Sequence, residues 1–271
     1  MTAAPTADRR DAGPNSAALA GGAGIAWRLD RHDSIDSTNA EAIRQARAGA
    51  AAGLAVTARA QTAGRGRSGR SWSTGDVDLA LSVLLRPGLK PGVAASASFV
   101  AALAVHDLAA SVLPADAPLA IKWPNDVMIG DAKLSGILLE AASGAGGLVD
   151  WLVVGIGVNL APAERPHAAA AADLVTAGGR RLDPDEAAER LLAALARWLE
   201  VWLAEGFEPI RAAWRARARD LGRAVVARLP NETIEGVARD LAADGALVLE
   251  LADGSRRAIA AGDVFPLAES A

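Results

Sequence analysis

The sequence predicts an α/β (α+β) domain followed by a small β-barrel-like one, on three observations. From Trp27 onward short apolar strand-like runs alternate with helix-length segments, the pattern of a layered α/β or α+β domain. After Leu221 the pattern changes to short alternating strands joined by "ADGA" and "ADGS", both hairpin-turn sequences. A length of 271 residues suits one large domain plus a small one. The expected division is a disordered arm over 1–26, a large domain over 27–220 and a β domain over 221–271.

The arm is rich in Ala, Gly and Pro and has no apolar periodicity. "WRLDRHDSI" then reads as a strand, followed by a helix with Ser37 at its N-cap, the strand "LAVTARA", a glycine-rich loop and the strand "VDLALSVLLRP". The Ala-rich stretch Val93 to Leu113 is predicted helical. "LAIKWP", "DVMIG" and "KLSGILLEA" read as three strands, with a tight turn at Gly130-Asp131. "WLVVGIGVNL" is a buried strand whose two glycines imply that something approaches its backbone closely. A helix starts at Asp183-Pro184-Asp185-Glu186, with Asp183 as N-cap, Pro184 at its first position and Glu186 placed for a capping box. Its apolar stripe runs through Leu191, Leu195, Trp198, Leu199, Trp202 and Leu203. The following helix carries Arg215, Arg217 and Arg219, expected to form a solvated face with carboxylate neighbours.

Composition excludes several classes. The formal net charge of −4 argues against a general polyanion binder, because nonspecific nucleic-acid affinity comes from phosphate neutralisation. With no cysteine there is no disulfide, thiolate metal site or thiol nucleophile. The first 24 residues lack the apolar core of a signal peptide, and no later run reads as long enough to cross a membrane. A cytoplasmic protein without membrane contact is expected.

Rare residue types mark candidate chemistry. Of 28 Lys+Arg only Lys90, Lys122 and Lys133 are lysine, asparagine occurs five times, and the only glutamines are Gln45 and Gln61. "QTAGRGRSGRSW" combines Gly64, Gly66 and Gly69, which let the backbone approach a ligand, with Arg65, Arg67 and Arg70, which supply bidentate donors to oxyanions. It matches neither a P-loop nor the dinucleotide fingerprint. In "AIKWPNDVMIGDAKLSGILLE", Lys122 and Lys133 flank Asn125 and Asp126 at a proline turn, where an amide and a carboxylate can face a ligand or a magnesium ion. An ammonium is a compact point charge that a planar guanidinium does not replace, which accounts for lysine being kept here. Ser37, Thr38 and Asn39 at a helix start, with Gln61 and Asn159, offer uncharged groups suited to an amide-like or ureido-like ligand.

In chain order these motifs are S-T-N, Q-x-x-G-R-G-R-x-G-R-x-W, K-W-P-N-D with K-L-x-G-I-L-x-E, and G-I-G-x-N. Together, from Trp27 to about Leu160, they resemble the biotin protein ligases, and the C-terminal β segment matches in kind. The resemblance implies a mixed-sheet biotin/lipoate ligase-like catalytic domain with a small SH3-like β-barrel C-terminal domain. It implies formation of biotinyl-adenylate from biotin and magnesium ATP, then biotinylation of one lysine of a biotin carboxyl carrier protein or domain.

Carried over by motif, Ser37, Thr38, Asn39 and Gln61 would bind the biotin head group. Arg65, Gly66 and Arg67 would wrap the activated carboxyl, with Gly136 and Lys133 also against biotin. Arg67 and Lys133 would stabilise charge developing on carboxylate and α-phosphate. Lys122 and Asn125 would hold phosphates, with Arg65, Arg70 and Lys133 also on the ATP side, and Trp72 and Asn159 would border the adenine. Asp126 would be the base for the acceptor lysine and a candidate magnesium ligand. Help from a base is needed because, at a pKa near ~10.4, about one lysine in a thousand is free amine at neutral pH. The glycine-arginine loop would be a lid, mobile until ligand contacts offset the ~1–2 kcal/mol per residue of its ordering.

Some relatives add an N-terminal winged helix and repress biotin-synthesis genes. Here only the arm precedes Trp27, so a ligase without DNA binding is expected, as monomer or homodimer. Rival readings are a lipoate-protein ligase, an RNA-binding module resting on the Arg-Gly loop, and a biotin sensor, which would have lost Lys133.

Overall fold

The computed structural model describes residues 19–20, 26–73, 75–163 and 170–267. Of the predicted arm, only Leu19–Ala20 and Ala26 fall within this range. Leu19–Ala20 is a two-residue strand, β1, rather than coil, and pairs antiparallel with β2 (Ala26–Ile35).

An eight-stranded mixed sheet carries the large domain, in the order β1-β2-β3-β4-β8-β7-β6-β5. Its further strands are β3 (Leu54–Gln61), β4 (Leu79–Leu85), β5 (Leu119–Lys122), β6 (Asp126–Ile129), β7 (Ala132–Ser143) and β8 (Val149–Val158). Only β2 and β3 pair in parallel, and α1 (Thr38–Arg47) makes the crossover between them. This matches the requirement that parallel neighbours be joined by a long connection, while the others are joined by hairpins or longer returns. β4 and β8 are buried along almost their whole length, so both faces of the sheet centre are covered.

The Ala-rich stretch forms two helices, α2 (Pro91–Ala94) and α3 (Ala97–Ala110). α3 is apolar around its whole circumference and lies in the core between the sheet and α4 (Pro184–Glu205). This corrects the sequence reading on one point. Pro91–Ala110 is long and apolar enough to cross a membrane, but those properties serve burial, with Phe99 to Val105 at 5% exposure or less. α4 is capped as expected, Asp183 accepting from Asp185 N at 2.8 Å, but Glu186 does not close a capping box. It pairs instead with Arg180 and Arg190. In the apolar stripe Leu203 is half exposed, and Trp198 donates its Nε1 to Asp107.

α5 (Phe207–Arg215) leads to a five-stranded antiparallel sheet in the order β12-β11-β10-β9-β13. These strands are β9 (Ala224–Arg228), β10 (Thr233–Leu241), β11 (Leu247–Glu250), β12 (Arg256–Ile259) and β13 (Asp263–Pro266). Both "ADG" turns lie between neighbouring strands, with Gly245 and Gly254 at positive φ as such turns require. Arg215, Arg217 and Arg219 each meet a carboxylate, of Asp240, Asp107 and Asp220 respectively. Arg219 departs from the expected solvated face: its side chain is buried, and Arg219 N and Ile121 N bond across to β5 and to Arg217 respectively, stitching the segment after α5 to the sheet edge. The β domain also touches the large one through Trp123, whose buried Nε1 donates to Gly245 O at 3.0 Å.

Candidate active site

One cavity of about 580 Å³ opens between the sheet, the glycine-arginine loop and β13. The structure brings every site residue anticipated from the sequence around it. Those from the start of α1 and the end of β3 form one end, and Lys122, Asn125, Asp126 and Lys133 form another wall.

The α1 end presents uncharged residues to the cavity in a hydrogen-bonded network that is anchored behind them on Glu140. Ser37 occupies the N-cap position but its side chain makes no capping bond, and the residue is part of the cavity lining. Gln61, at the end of β3, provides the cap, accepting from Thr38 N at 2.8 Å and lying 3.2 Å from Thr38 Oγ1. Ser82, the one hydroxyl in the apolar run of β4, donates to Asn39 Oδ1 at 2.6 Å and lies 2.8 Å from Thr38 Oγ1. Asn39 Nδ2 donates to Glu140 Oε2 at 2.9 Å. Thr38, Asn39 and Ser82 are almost wholly buried, so the network is rigid and its donors and acceptors are fixed in place.

The two glycines of β8 explain how side chains come down onto the sheet. A Cβ at Gly155 would lie 2.0 Å from Asn39 Oδ1, and one at Gly157 would lie 2.3 Å from Trp72 Cε2. Gly136, opposite Gly157 on β7, would likewise crowd Lys133 Nζ and the Trp72 ring. The indole of Trp72 therefore lies on a floor of bare backbone, and its buried Nε1 has no hydrogen-bond partner among the described residues.

The glycine-arginine loop is folded as a small closed hairpin. Gly66 N donates to Arg70 O at 2.7 Å and Trp72 N to Gly64 O at 2.9 Å, and a Cβ at Gly64 would lie 2.2 Å from Trp72 O. Its arginines are tethered in three directions. Arg65 Nη2 donates to Glu140 Oε2 at 2.8 Å, Arg67 Nη1 to Asn125 Oδ1 at 2.7 Å, and Arg70 Nη2 to Asp263 of β13 at 3.1 Å. These protein contacts offset part of the cost of ordering the loop, which from the sequence was expected to fall to ligand contacts.

The cationic wall is built on the β5–β6–β7 turns. Asn125 donates to Ile137 O, which holds its side chain against β7. A register shift between β6 and β7 falls where Val127 pairs with Ser135 and Met128 with Lys133, and such bulges re-aim side chains. Lys133 Nζ meets Asp126 Oδ1 at 2.6 Å and lies 5.7 Å from the Trp72 ring centre. Asn159 is buried below, its Nδ2 donating to Lys133 O at 3.1 Å and Ala172 O at 2.9 Å, so its amide group positions the main chain that carries Lys133. Lys122 Nζ lies 5.0 Å from the Phe265 ring centre, and burial holds its pKa below the ordinary lysine value against the opposing pull of the Asp126 carboxylate.

Asp126, the expected metal ligand, faces the cavity but is paired with Lys133 here, so it would be open to a cation only once that lysine moves. The two carboxylates lining the cavity among the described residues, Asp126 and Asp263, are each paired with a cation. The sequence reading also missed several contributors. Glu140 closes the quoted K-L-x-G-I-L-x-E motif and Ser82 interrupts an apolar strand, so both carried a signal. Asp263 and Phe265, far along the chain, carried none.

Comparison with known proteins places this geometry among relatives. A model of the biotin/lipoate A/B protein ligase family matches residues 32–159, and one of the biotin protein ligase C terminal domain matches residues 220–265. The chain is similar to biotin--[acetyl-CoA-carboxylase] ligase of Paracoccus denitrificans, at 43% identity over 85% of this chain and 97% of that one. To the protein of that name from Mycobacterium tuberculosis it is 36% identical over 91% of this chain and 92% of the other. Among solved structures, biotin protein ligase from Aquifex aeolicus in complex with biotin and ATP superposes with a TM-score of 0.77 at 26% identity, covering 89% of this chain and 99% of that one.

Proposed function

The chain belongs to the biotin/lipoate A/B protein ligase family, and from that premise we propose how its residues carry out the work of a biotin protein ligase. The reading rests above all on one observation: a single cavity joins an uncharged, rigid network at Thr38, Asn39 and Gln61 to a cationic wall at Arg67, Lys122 and Lys133. That polarity fits an acid with a neutral ureido head group whose carboxylate end is to be activated.

In the first step a biotin carboxylate oxygen attacks the α-phosphorus of ATP, the bond to the bridging oxygen breaks, and pyrophosphate leaves with the electron pair. Negative charge accumulates on non-bridging oxygens, and fixed cations there lower the barrier, typically by ~3–4 kcal/mol for each such donor. Lys133 and Arg67 are the groups in place. Binding an anion gives Lys133 a second partner, and its shift toward the phosphate frees Asp126. Magnesium, when bound with the nucleotide, would neutralise phosphate charge, and Asp126 is the lining carboxylate that could hold it once Lys133 has shifted.

In the second step the acceptor amine attacks the acyl carbon, the bond to AMP breaks, and the amine proton passes to a base. Asp126, released from Lys133, is that base. The closed loop hairpin with Trp72 keeps water from the adenylate. The acceptor is the biotin carrier domain of an acetyl-CoA carboxylase, as the names of the two relatives indicate for them. The protein acts as a ligase alone, and specific retardation of a biotin operator by it in a gel-shift experiment would contradict this.

The deciding experiment is biotin-dependent exchange of pyrophosphate into ATP by the purified protein, run beside lipoate and beside Lys133→Ala. Exchange with biotin alone, lost in the variant, is expected. Exchange driven by lipoate would mean the acid is wrong, and tight biotin binding without exchange would make the protein a sensor.

A further inference from the structure

Gln61, one of the chain's two glutamines, caps α1 at the cavity; the other, Gln45, lies outside it, in a second polar cluster between β2 and α1. Asp30 and His32 are two residues apart on β2 and so point to one face, and Glu41 lies in the first turn of α1. One ligand atom from each of these three lies within 4.8 Å of the others. His32 is 3% exposed, and neither of its ring nitrogens has a hydrogen-bond partner among the described residues. Its Nε2 stands 3.4 Å from Asp30 Oδ1 without hydrogen-bond geometry. A buried imidazole left this way is rare, and calls for a partner that uses the nitrogen lone pair.

The surroundings are arranged as around a cation. Gln45 Nε2 lies 2.6 Å from Asp30 Oδ2 and 2.9 Å from Glu41 Oε1, filling the place between the two carboxylates with its weakly positive amide group. Arg44 Nε holds Glu41 Oε2 at 2.9 Å from outside, which leaves Oε1 turned inward. Outer partners of this kind orient the carboxylates of metal sites.

We propose that Asp30, His32 and Glu41 form a binding site for a divalent transition-metal cation of the zinc type. Two carboxylates and one neutral imidazole carry a charge that matches the ion, and an imidazole ligand selects zinc-like metals over magnesium or calcium, which take oxygen. A half-turn of the Gln45 amide would present its oxygen as a fourth donor. The ion would tie β2 to α1, the helix whose first residues Thr38 and Asn39 form the uncharged end of the cavity. The site stands apart from the ligase chemistry and does not depend on it.

The test uses the full chain, stripped with chelator and titrated with Co2+ and then Zn2+. Expected are a saturable one-to-one visible absorption band, its loss on adding Zn2+, and a Zn2+-induced shift of the His32 ring nitrogens in long-range proton–nitrogen spectra, with His106 and His167 unmoved. Asp30→Asn and Glu41→Gln should each weaken Co2+ binding at least ~10-fold while unfolding cooperatively. The spectra of the unsubstituted protein need no variant, so a misfolded variant does not spare the proposal. Absence of the band, a shift confined to another histidine, or undiminished binding in both folded variants would overturn it.

Discussion

Lys133 Nζ lies 2.6 Å from Asp126 Oδ1, so the cation proposed to serve adenylation is paired in the free protein with the carboxylate proposed to serve transfer. On that proposal the two half-reactions are coupled through one ion pair, and separate variants should divide them. Lys133→Ala is expected to reduce pyrophosphate exchange by ~10²–10³. Asp126→Asn should leave exchange within a few-fold and slow transfer from preformed adenylate by ~10²-fold or more. Both half-reactions at full rate in Asp126→Asn, measured by rapid quench, would remove Asp126 from the mechanism.

Glu140 accepts from both Asn39 and Arg65 through the same oxygen, Oε2, so it ties the head-group network to the loop. Hydrogen bonds to a charged group contribute ~1.5–3 kcal/mol each, which sets the scale of losing them. Glu140→Gln is expected to weaken biotin ~10–100-fold in calorimetry, with much less change in the KM for ATP. Equal losses for both ligands would mean that Glu140 supports the fold and not the biotin end.

Gly155→Ala and Gly157→Ala test the bare floor. Added Cβ atoms would meet Asn39 and Trp72 at 2.0 and 2.3 Å, far inside contact distance. Each is expected to cost about 1–3 kcal/mol in denaturant unfolding, as overpacked sites do, and to impair biotin binding. Unchanged biotin affinity in Gly155→Ala would show that Asn39 is not held where the head group docks.

Lys122 is half-buried, and its pKa lies below the ordinary lysine value because burial disfavours its charge. The folded protein therefore releases this proton at a lower pH than the unfolded chain does. Stability contributed by this group rises as pH climbs through the lowered value toward the ordinary one. An anionic phosphate reverses the shift, so ATP binding at alkaline pH should take up a proton, seen as different binding enthalpies in buffers of different ionisation heat. Lys122→Met should abolish that uptake and weaken ATP ~10–100-fold without lowering the melting temperature. Proton uptake that persists in Lys122→Met would assign it to another group.

Much of this protein was legible in the sequence because the signals were local. Turn chemistry at Gly130-Asp131, alternation in the strands and the Asp183-Pro184 helix start depend on neighbours a few residues away. Scarcity marked Lys122, Lys133, Asn125, Asn159 and Gln61, which line one cavity, but it marked Lys90 and Gln45 equally, and they lie outside it. What needed the tertiary structure was pairing between distant segments. Sheet register sets Lys133 against Asp126 and seats Trp72 over Gly157, and the docking of the β domain brings Asp263 to Arg70 across 193 positions. Arg219 and the apolar stretch Pro91–Ala110 were misjudged for the same reason: residue type states what a side chain tolerates, and only packing decides whether water or protein surrounds it. Glu186 likewise had the spacing of a capping box, but Arg180 and Arg190 stood close enough to take its charge. The residue types available for chemistry were thus determined along the chain. Their partners and burial, and the pairing of Lys133 with Asp126, were decided in three dimensions, because electrostatic and packing energies depend on distance through space and not along the backbone.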